Sequence, residues 1–461
     1  MKTVRKVAVA VVGGGWAGCA AAVELASKGH QVTLFEAART LGGRAREVEL
    51  KPESSTGRGS VRVDNGQHIL LGAYSATLRL IKQVGLERKQ VFLNLPLQMR
   101  YPPDSGGMDF IAPRWPAPLH LAGALLRAKG LAWADKMALA RFSSSARWMG
   151  WHLHTDCSVS ELLERFDQTP RLIQLMWRPL CLAALNTPPE RASAKVFLNV
   201  LRDSLGAKRS ASDMLLPKVD LSALFPDAAA NYVKQHGGAV RLGAKVSALR
   251  QAADGGWQIE IAGTDGGMHF ERVILATPAA HTAALMQKMS LLDPAVSKPA
   301  VVQLVTQLSA FEAEAITTCY LQYDASVKLA LPFFALIDQP QQQQWGQFVF
   351  DRGQLNAAQA GLLAVVVSAS GEAAQLKQST LADALAQQLA RVFQRPELAV
   401  PLWCQVITEK RATYACTPNL LRPQNATRLA GLAIAGDFTA GEYPATIESA
   451  VRSGILAAGC V

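Results

Sequence analysis

An α/β fold, with a discontinuous Rossmann-like domain and a second domain of α+β type, is predicted by three stretches of this 461-residue chain. Near the N-terminus VAVAVV, residues 7–12, is an unbroken apolar run of the sort a central parallel strand shows, and Gly13-x-Gly15-x-x-Gly18 follows it. In the middle, FERVILATPA at 270–279 reads as a second buried strand ending in a turn at Thr277-Pro278. Close to the C-terminus, GLAIAGDFTAGEYPATIESAVRSG at 431–454 reads as a third buried strand, a loop at Gly436-Asp437 and a helix starting near Pro444.

The N-terminal elements follow in order. AGCAAAVELASKG is a small-residue helix ended by Gly29, and QVTLFE is the next strand, closed by Glu36 about twenty residues past the glycine turn. Gly13 permits the tight turn, and Gly15 lets backbone N–H groups approach a pyrophosphate at the helix start, Trp16-Ala17. Gly18 lets helix and strand pack closely, and Glu36 is placed to accept hydrogen bonds from a ribose. A rival reading takes Lys2, Arg5 and Lys6, the apolar run and Gly18-Cys19 as a lipoprotein-type signal peptide. The run is short for that role and three glycines break it, so a cytoplasmic location is expected.

Directly after Glu36, AARTLGGRA supplies a second glycine turn, Gly42-Gly43, with the cation Arg44 beside it. Two turns around one pyrophosphate suit a cofactor held permanently in an extended form. On these residues the chain resembles the FAD-dependent amine oxidase and phytoene desaturase superfamily, which implies FAD and a GR2-type Rossmann domain. The resemblance implies that RVDNGQHILLGAY, 62–74, sets Gly66, Gln67 and His68 beside the flavin ring. His68 is then either a proton donor or a hydrogen-bonding partner of the ring or a carbonyl. It also implies that Val246, in GGAVRLGAKVSAL, packs on the adenine. Asp437 would contact the ribityl and pyrophosphate region, and the helix start at Pro444, Ala445 and Thr446 would point at the flavin pyrimidine. N–H groups there would stabilise the negative charge of a reduced flavin. Residues 1–100, 232–299 and 400–461 are expected to form the FAD-binding domain, and 101–231 with 300–399 the substrate domain.

Composition narrows the class further. Seven cysteines, scattered and without a CxxC pair, fit reduced thiols rather than disulfides or a zinc site. His152-x-His154 has no evident third ligand, so no metal is expected. No stretch approaches the ~18 apolar residues of a membrane span. The excess of 47 Lys plus Arg over 36 Asp plus Glu comes without a nucleic-acid motif, so no nucleic-acid partner is expected. Between Arg114 and Trp151, six basic residues face one acid, Asp135, and four of the nine tryptophans fall in the same window. Such helices either lie on an anionic bilayer surface or roof a cavity with their basic side solvated.

Within the superfamily, VDNGQHILLGAYSATLRLI, EKRATYACTP and GDFTAGEYPATIESAVRSG together resemble the squalene-associated flavoproteins, the hydroxysqualene dehydroxylases of bacterial hopanoid pathways. That resemblance implies reductive removal of an allylic hydroxyl from hydroxysqualene or a related apolar isoprenoid. It further implies a peripheral position on the inner membrane face, with neighbouring squalene-pathway enzymes as partners. The chemistry asks for a dry cavity, aromatic faces near an allyl cation and an acid for the leaving hydroxyl, for which His68 and Tyr414 are the candidates. Arg411 either contacts flavin or structures its loop, and Cys416 is taken as an ordinary thiol rather than a flavin attachment point. A carotenoid-type desaturase, an amine oxidase and a non-catalytic FAD-containing isoprenoid carrier are the rival readings. The electron donor is not legible.

Overall fold

The computed structural model describes residues 5–50, 60–292 and 298–461. Lys2 of the basic opening lies outside them, as do residues 293–297 next to the expected boundary at 299. Two sheets of five strands dominate. In chain order their strands are β1 (Ala8–Val12), β2 (Gln31–Phe35), β3 (Ala239–Arg241), β4 (Arg272–Leu275), β5 (Ala313–Gln322), β6 (Phe333–Ala335), β7 (Phe348–Asp351), β8 (Leu362–Ser368), β9 (Trp403–Tyr414) and β10 (Leu432–Ile434). Five helices bear on the site: α1 (Trp16–Ser27), α2 (Leu119–Arg127), α3 (Trp133–Trp148), α4 (Gln378–Val392) and α5 (Ile447–Ala458).

The first sheet is parallel throughout, in the order β3-β2-β1-β4-β10. Val12 lies opposite both Phe35 and Leu275, and Leu275 opposite Ile434, so these strands end flush. Gly13, Glu36, Ala276 and Ala435 therefore open on one edge, the carboxyl edge where parallel α/β sheets bind ligands. Helix α1 packs through Ala20, Ala21 and Ala22, all fully buried, and α5 crosses it so closely that a Cβ on Gly454 would stand 2.1 Å from the Ala17 carbonyl. The antiparallel strands Val246–Gln251, Trp257–Ile261 and Gly267–Phe270 form a small sheet between β3 and β4 in sequence. Helix α5 starts later than the sequence suggests. Thr446 caps it by accepting from the Ser449 N–H at 3.2 Å, and Pro444 stays in the preceding loop.

The second sheet is antiparallel, in the order β6-β7-β8-β5-β9. Its strands alternate as a two-faced sheet must. Cys319, Leu321, Val349 and Val365 pack beneath Leu385 and Leu389 of α4, while Ile316, Phe348, Phe350 and Val366 face a cavity between the sheets. Strand β9 joins this second sheet beside β5, although the sequence groups residues 400–461 with the dinucleotide unit.

Candidate functional site

One cavity of about 2090 Å³ runs from the glycine turns of the first sheet to the inner face of the second. It is well above the roughly 300–1,000 Å³ of an ordinary ligand pocket. At the first sheet, Gly13 holds φ +110°, and a Cβ there would meet the Ala276 carbonyl oxygen at 2.5 Å. Gly15 bridges to Gly42, and a Cβ on Gly43 would come within 3.1 Å of the Gly15 Cα, so the two turns touch backbone to backbone. Helix α1 opens there without a side-chain cap or an acidic residue in its first turn, leaving the N–H groups of its start available to an anion. A pyrophosphate fits this cradle.

The expected cofactor residues are brought together here with one exception. Gly13, Gly15, Trp16, Ala17, Glu36, Gly42, Gly43 and Arg44 line the cavity, and so do Gly66, Gln67, His68, Val246, Gly436, Asp437, Pro444, Ala445 and Thr446. Gly18 does not. Its Cβ would stand 1.9 Å from the Gly13 carbonyl oxygen, so it serves helix packing alone. The Trp16 indole also turns away from the ligand side, donating to the Ala45 carbonyl at 3.0 Å and packing on Phe225. The Glu36 carboxylate accepts from the Gly14 N–H at 2.6 Å and the Ala38 N–H at 2.7 Å, which fixes it while leaving acceptor sites for hydroxyls. Arg44 pairs with Asp437 at 2.7 Å and donates to the Ala412 carbonyl at 2.8 Å. Burial works against the Arg44 charge, but the carboxylate outweighs it and the guanidinium is held more firmly protonated than usual.

The turn at 64–68 is gripped by the second sheet. Tyr320 donates to the Asp64 carbonyl at 2.6 Å, and the buried Arg352 donates to the Gln67 side-chain oxygen at 3.1 Å. The Gln67 side-chain oxygen is thus spent on structure. His68 Nδ1 lies 2.9 Å from the Gly66 carbonyl oxygen, and a carbonyl only accepts, so the proton sits on Nδ1. Burial lowers the His68 pKa. The ring therefore meets the cavity neutral, with Nε2 as an acceptor.

Tyr414, at the end of β9, is buried and lines the cavity. Its oxygen accepts from Arg422 Nη1 at 2.6 Å, and its ring packs on Phe311 with centroids 5.4 Å apart. The expectations leave out Arg422, and they leave out a second phenol at the cavity wall, Tyr443, which donates to the Asp203 carboxylate while Arg452 lies over its ring at 4.9 Å. Neither pairing has a local sequence signal, because the partners lie on separate elements. Arg411 is exposed at the cavity rim. Cys416 is buried outside the lining, its thiol pushed up to about 12 by burial. His152 and His154 meet edge to face at 5.9 Å.

Away from the dinucleotide cleft the walls turn apolar, with Phe142, Met176, Trp177, Leu180, Phe348 and Phe350 among them. Helices α2 and α3 form the roof. Leu121, Leu125, Leu139 and Phe142 point inward, while Leu126 and Trp133 stand outside at 65% and 69% exposure and Trp148, 90% exposed, sits at the cavity rim. Arg127 lies 4.7 Å over the Trp115 ring, and the one acid, Asp135, is buried and taken up by Thr169 and the Ala132 N–H. The outer face consequently carries basic and aromatic groups. Among the described residues no helix is long and apolar enough to cross a membrane.

A flush parallel edge, two facing glycine turns, a fixed acid and an uncapped helix start define a dinucleotide-binding α/β oxidoreductase with a large second chamber. The chain belongs to the flavin containing amine oxidoreductase family, whose profile matches residues 16–461, and its cofactor is FAD. It is 28% identical to a hydroxysqualene dehydroxylase of Rhodopseudomonas palustris (strain ATCC BAA-98 / CGA009), over 98% of both chains. It is 22% identical to a 15-cis-phytoene desaturase of an Oncidium hybrid cultivar, over 98% of this chain and 77% of the relative. Among solved structures, an oxidoreductase from Methanosarcina mazei shares the fold with a TM-score of 0.70 at 17% identity, over 97% of this chain and 98% of that one.

Proposed function

We propose that this protein is an FAD-dependent hydroxysqualene dehydroxylase that works at the inner face of the cytoplasmic membrane. The observation that carries the reading is the continuity of the dinucleotide cleft with an apolar chamber, the two together forming one cavity of about 2090 Å³. Full-length similarity to hydroxysqualene dehydroxylases supports the choice of substrate. The net change is replacement of an allylic C–O bond by C–H, with one hydride and one proton consumed and water released. The bound flavin, once reduced, supplies the hydride. This chain's own residues supply the rest. Apolar walls keep water from an allylic cation, and the faces of Trp177, Phe348 and Phe350 offer it electron density. Tyr414 offers a proton to the leaving oxygen, and His68 Nε2 offers an acceptor that orients the alcohol. The basic, tryptophan-bearing roof rests on anionic lipid and admits the isoprenoid from the bilayer.

The test is anaerobic. Reduced yellow protein receives hydroxysqualene in detergent, and oxidised flavin absorbance is followed with squalene formation. Return of the band with squalene in matching yield is expected. Persistent reduction overturns the assignment, and desaturation of phytoene by the oxidised protein would establish the opposite direction of chemistry.

A further inference from the structure

Several buried or half-buried tyrosines of this chain spend their proton on a protein oxygen. Tyr101 donates to the Leu175 carbonyl at 2.8 Å, Tyr320 to Asp64 at 2.6 Å, Tyr323 to Leu398 at 2.7 Å and Tyr443 to Asp203. Tyr414 is arranged the other way. Its oxygen receives the Arg422 guanidinium at 2.6 Å, and a guanidinium cannot accept in return. Among the described residues no oxygen or nitrogen takes the Tyr414 proton. The phenol is 6% exposed and lines the cavity, so that proton is left to whatever fills the chamber.

Arg422 is itself held in place from the flavin side of the site. It donates to the Tyr443 carbonyl at 2.8 Å and to the Gly441 carbonyl, both in the loop that leads into α5. Its guanidinium also sits 5.7 Å from the Tyr414 ring centroid, and no carboxylate pairs with it among the described residues. Its positive charge is thus aimed at the phenol oxygen, while the carboxylate that also acts on the phenol, Asp437, is paired with Arg44.

We propose that Arg422 is a positioning residue which, by occupying the Tyr414 oxygen, directs the phenol proton at the hydroxyl of an alcohol substrate. This deepens the dehydroxylation reading and rests on it for the reaction. In the step, the Tyr414 O–H bond breaks and its proton bonds to the leaving oxygen. The C–O electron pair departs with that oxygen as water, and the carbon is left to the hydride of the reduced flavin. The phenolate that remains faces Arg422, so the charge forms as a pair rather than as an isolated buried anion. Solvent returns the proton between turnovers.

A double-mutant cycle on the FAD-loaded enzyme tests this, using Arg422→Gln, Tyr414→Phe and the two combined. Flavin content is measured for each, with kcat and KM for hydroxysqualene determined separately. The expected result is a kcat loss of about 100-fold in each single variant, in the range of general-acid catalysis, with any rise in KM no larger than the preference for the alcohol that the variant loses. The double variant should be no slower than Tyr414→Phe, and Arg422→Lys should recover part of the loss. Losses that multiply in the double variant, or an unchanged kcat in Arg422→Gln, would overturn the proposal. If the glutamine variant is recovered without FAD, Arg422→Lys carries the cycle. A binding arm separates this proposal from the reaction it rests on. Quenching of tryptophan fluorescence by hydroxysqualene and by squalene should show a preference for the alcohol that both single variants erase. If the wild type turns over nothing yet shows that pattern, the dehydroxylation reading fails and the Arg422–Tyr414 assignment stands. Equal binding of the two lipids by the wild type sinks the assignment.

Discussion

Gly15→Ala and Gly18→Ala each add one methyl group, three residues apart, and the structure assigns them opposite consequences. Gly15 is at φ −73° and ψ 178°, a conformation open to alanine, and its Cβ would meet nothing nearer than the Gly43 Cα at 3.9 Å. The apoprotein should therefore keep its stability or gain up to about 1 kcal/mol from a less flexible unfolded chain. That methyl, however, stands in the cradle that the two touching glycine turns form, where a pyrophosphate has to lie. Loss of two charge-assisted N–H contacts costs roughly 3 kcal/mol or more, about two orders of magnitude in Kd. At Gly18 the methyl stands 1.9 Å from the Gly13 carbonyl oxygen, well inside contact distance. The gain of about 1 kcal/mol in helix propensity cannot offset displacement of α1 from β1, and destabilisation of several kcal/mol is expected. Thermal unfolding of the apoproteins, with FAD titrated into each, separates the two effects. Gly15→Ala should unfold like wild type yet bind FAD poorly, whereas Gly18→Ala should lose several degrees in Tm without cofactor. Tight FAD binding by Gly15→Ala, or an unchanged Tm for Gly18→Ala, would refute the division of labour between the glycines.

Asp64 is pushed up to about 7 by burial, which outweighs Arg352 and the Leu221 N–H, against an ordinary 3.8. The folded chain thus keeps a proton that the unfolded chain releases, so this group lowers stability as pH rises from 3.8 to about 7 and holds it low above. Asp64→Asn should accordingly show a Tm advantage at pH 8 that shrinks towards pH 4, worth at most on the order of 4 kcal/mol; a constant difference across that range would count against it. Replacing Trp133 and Trp148 together by serine should weaken co-sedimentation with phosphatidylglycerol vesicles at least tenfold and leave FAD content intact, while added salt weakens the wild type. Equal sedimentation of both proteins would remove the roof from any membrane role. Because Cys416 lies outside the cavity lining, acid precipitation should release all the flavin and leave a polypeptide of unmodified mass.

What was legible in the sequence depended on whether a residue and its partner fall within one recurrent strand–turn–helix unit. The first glycine turn, Glu36 and the second turn at Gly42-Gly43 fall within one strand–helix–strand unit, and the geometry that unites them is local. Asp437 followed from a strand and loop of the same kind. Gly18 was read correctly in its packing role but counted as a ligand contact, since a motif does not say which glycine faces the ligand and which the strand. Arg422 and Asp203 were invisible. Asp203 meets Tyr443 across 240 positions, and Arg422 acquires meaning only once β9 is known to end beside the loop before α5. The tryptophan-rich window shows the limit most clearly. Its composition allowed a cavity roof or a membrane face, and periodicity could not choose, because both require apolar side chains on a helix. Only after Leu121, Leu125 and Phe142 are seen to line the cavity does Trp133 stand out as an exposed apolar group on the outer side, with Trp148, 90% exposed, at the cavity rim. The two readings are then compatible in one arrangement, in which a helix pair covers the chamber with one side and leaves basic and aromatic groups exposed on the other.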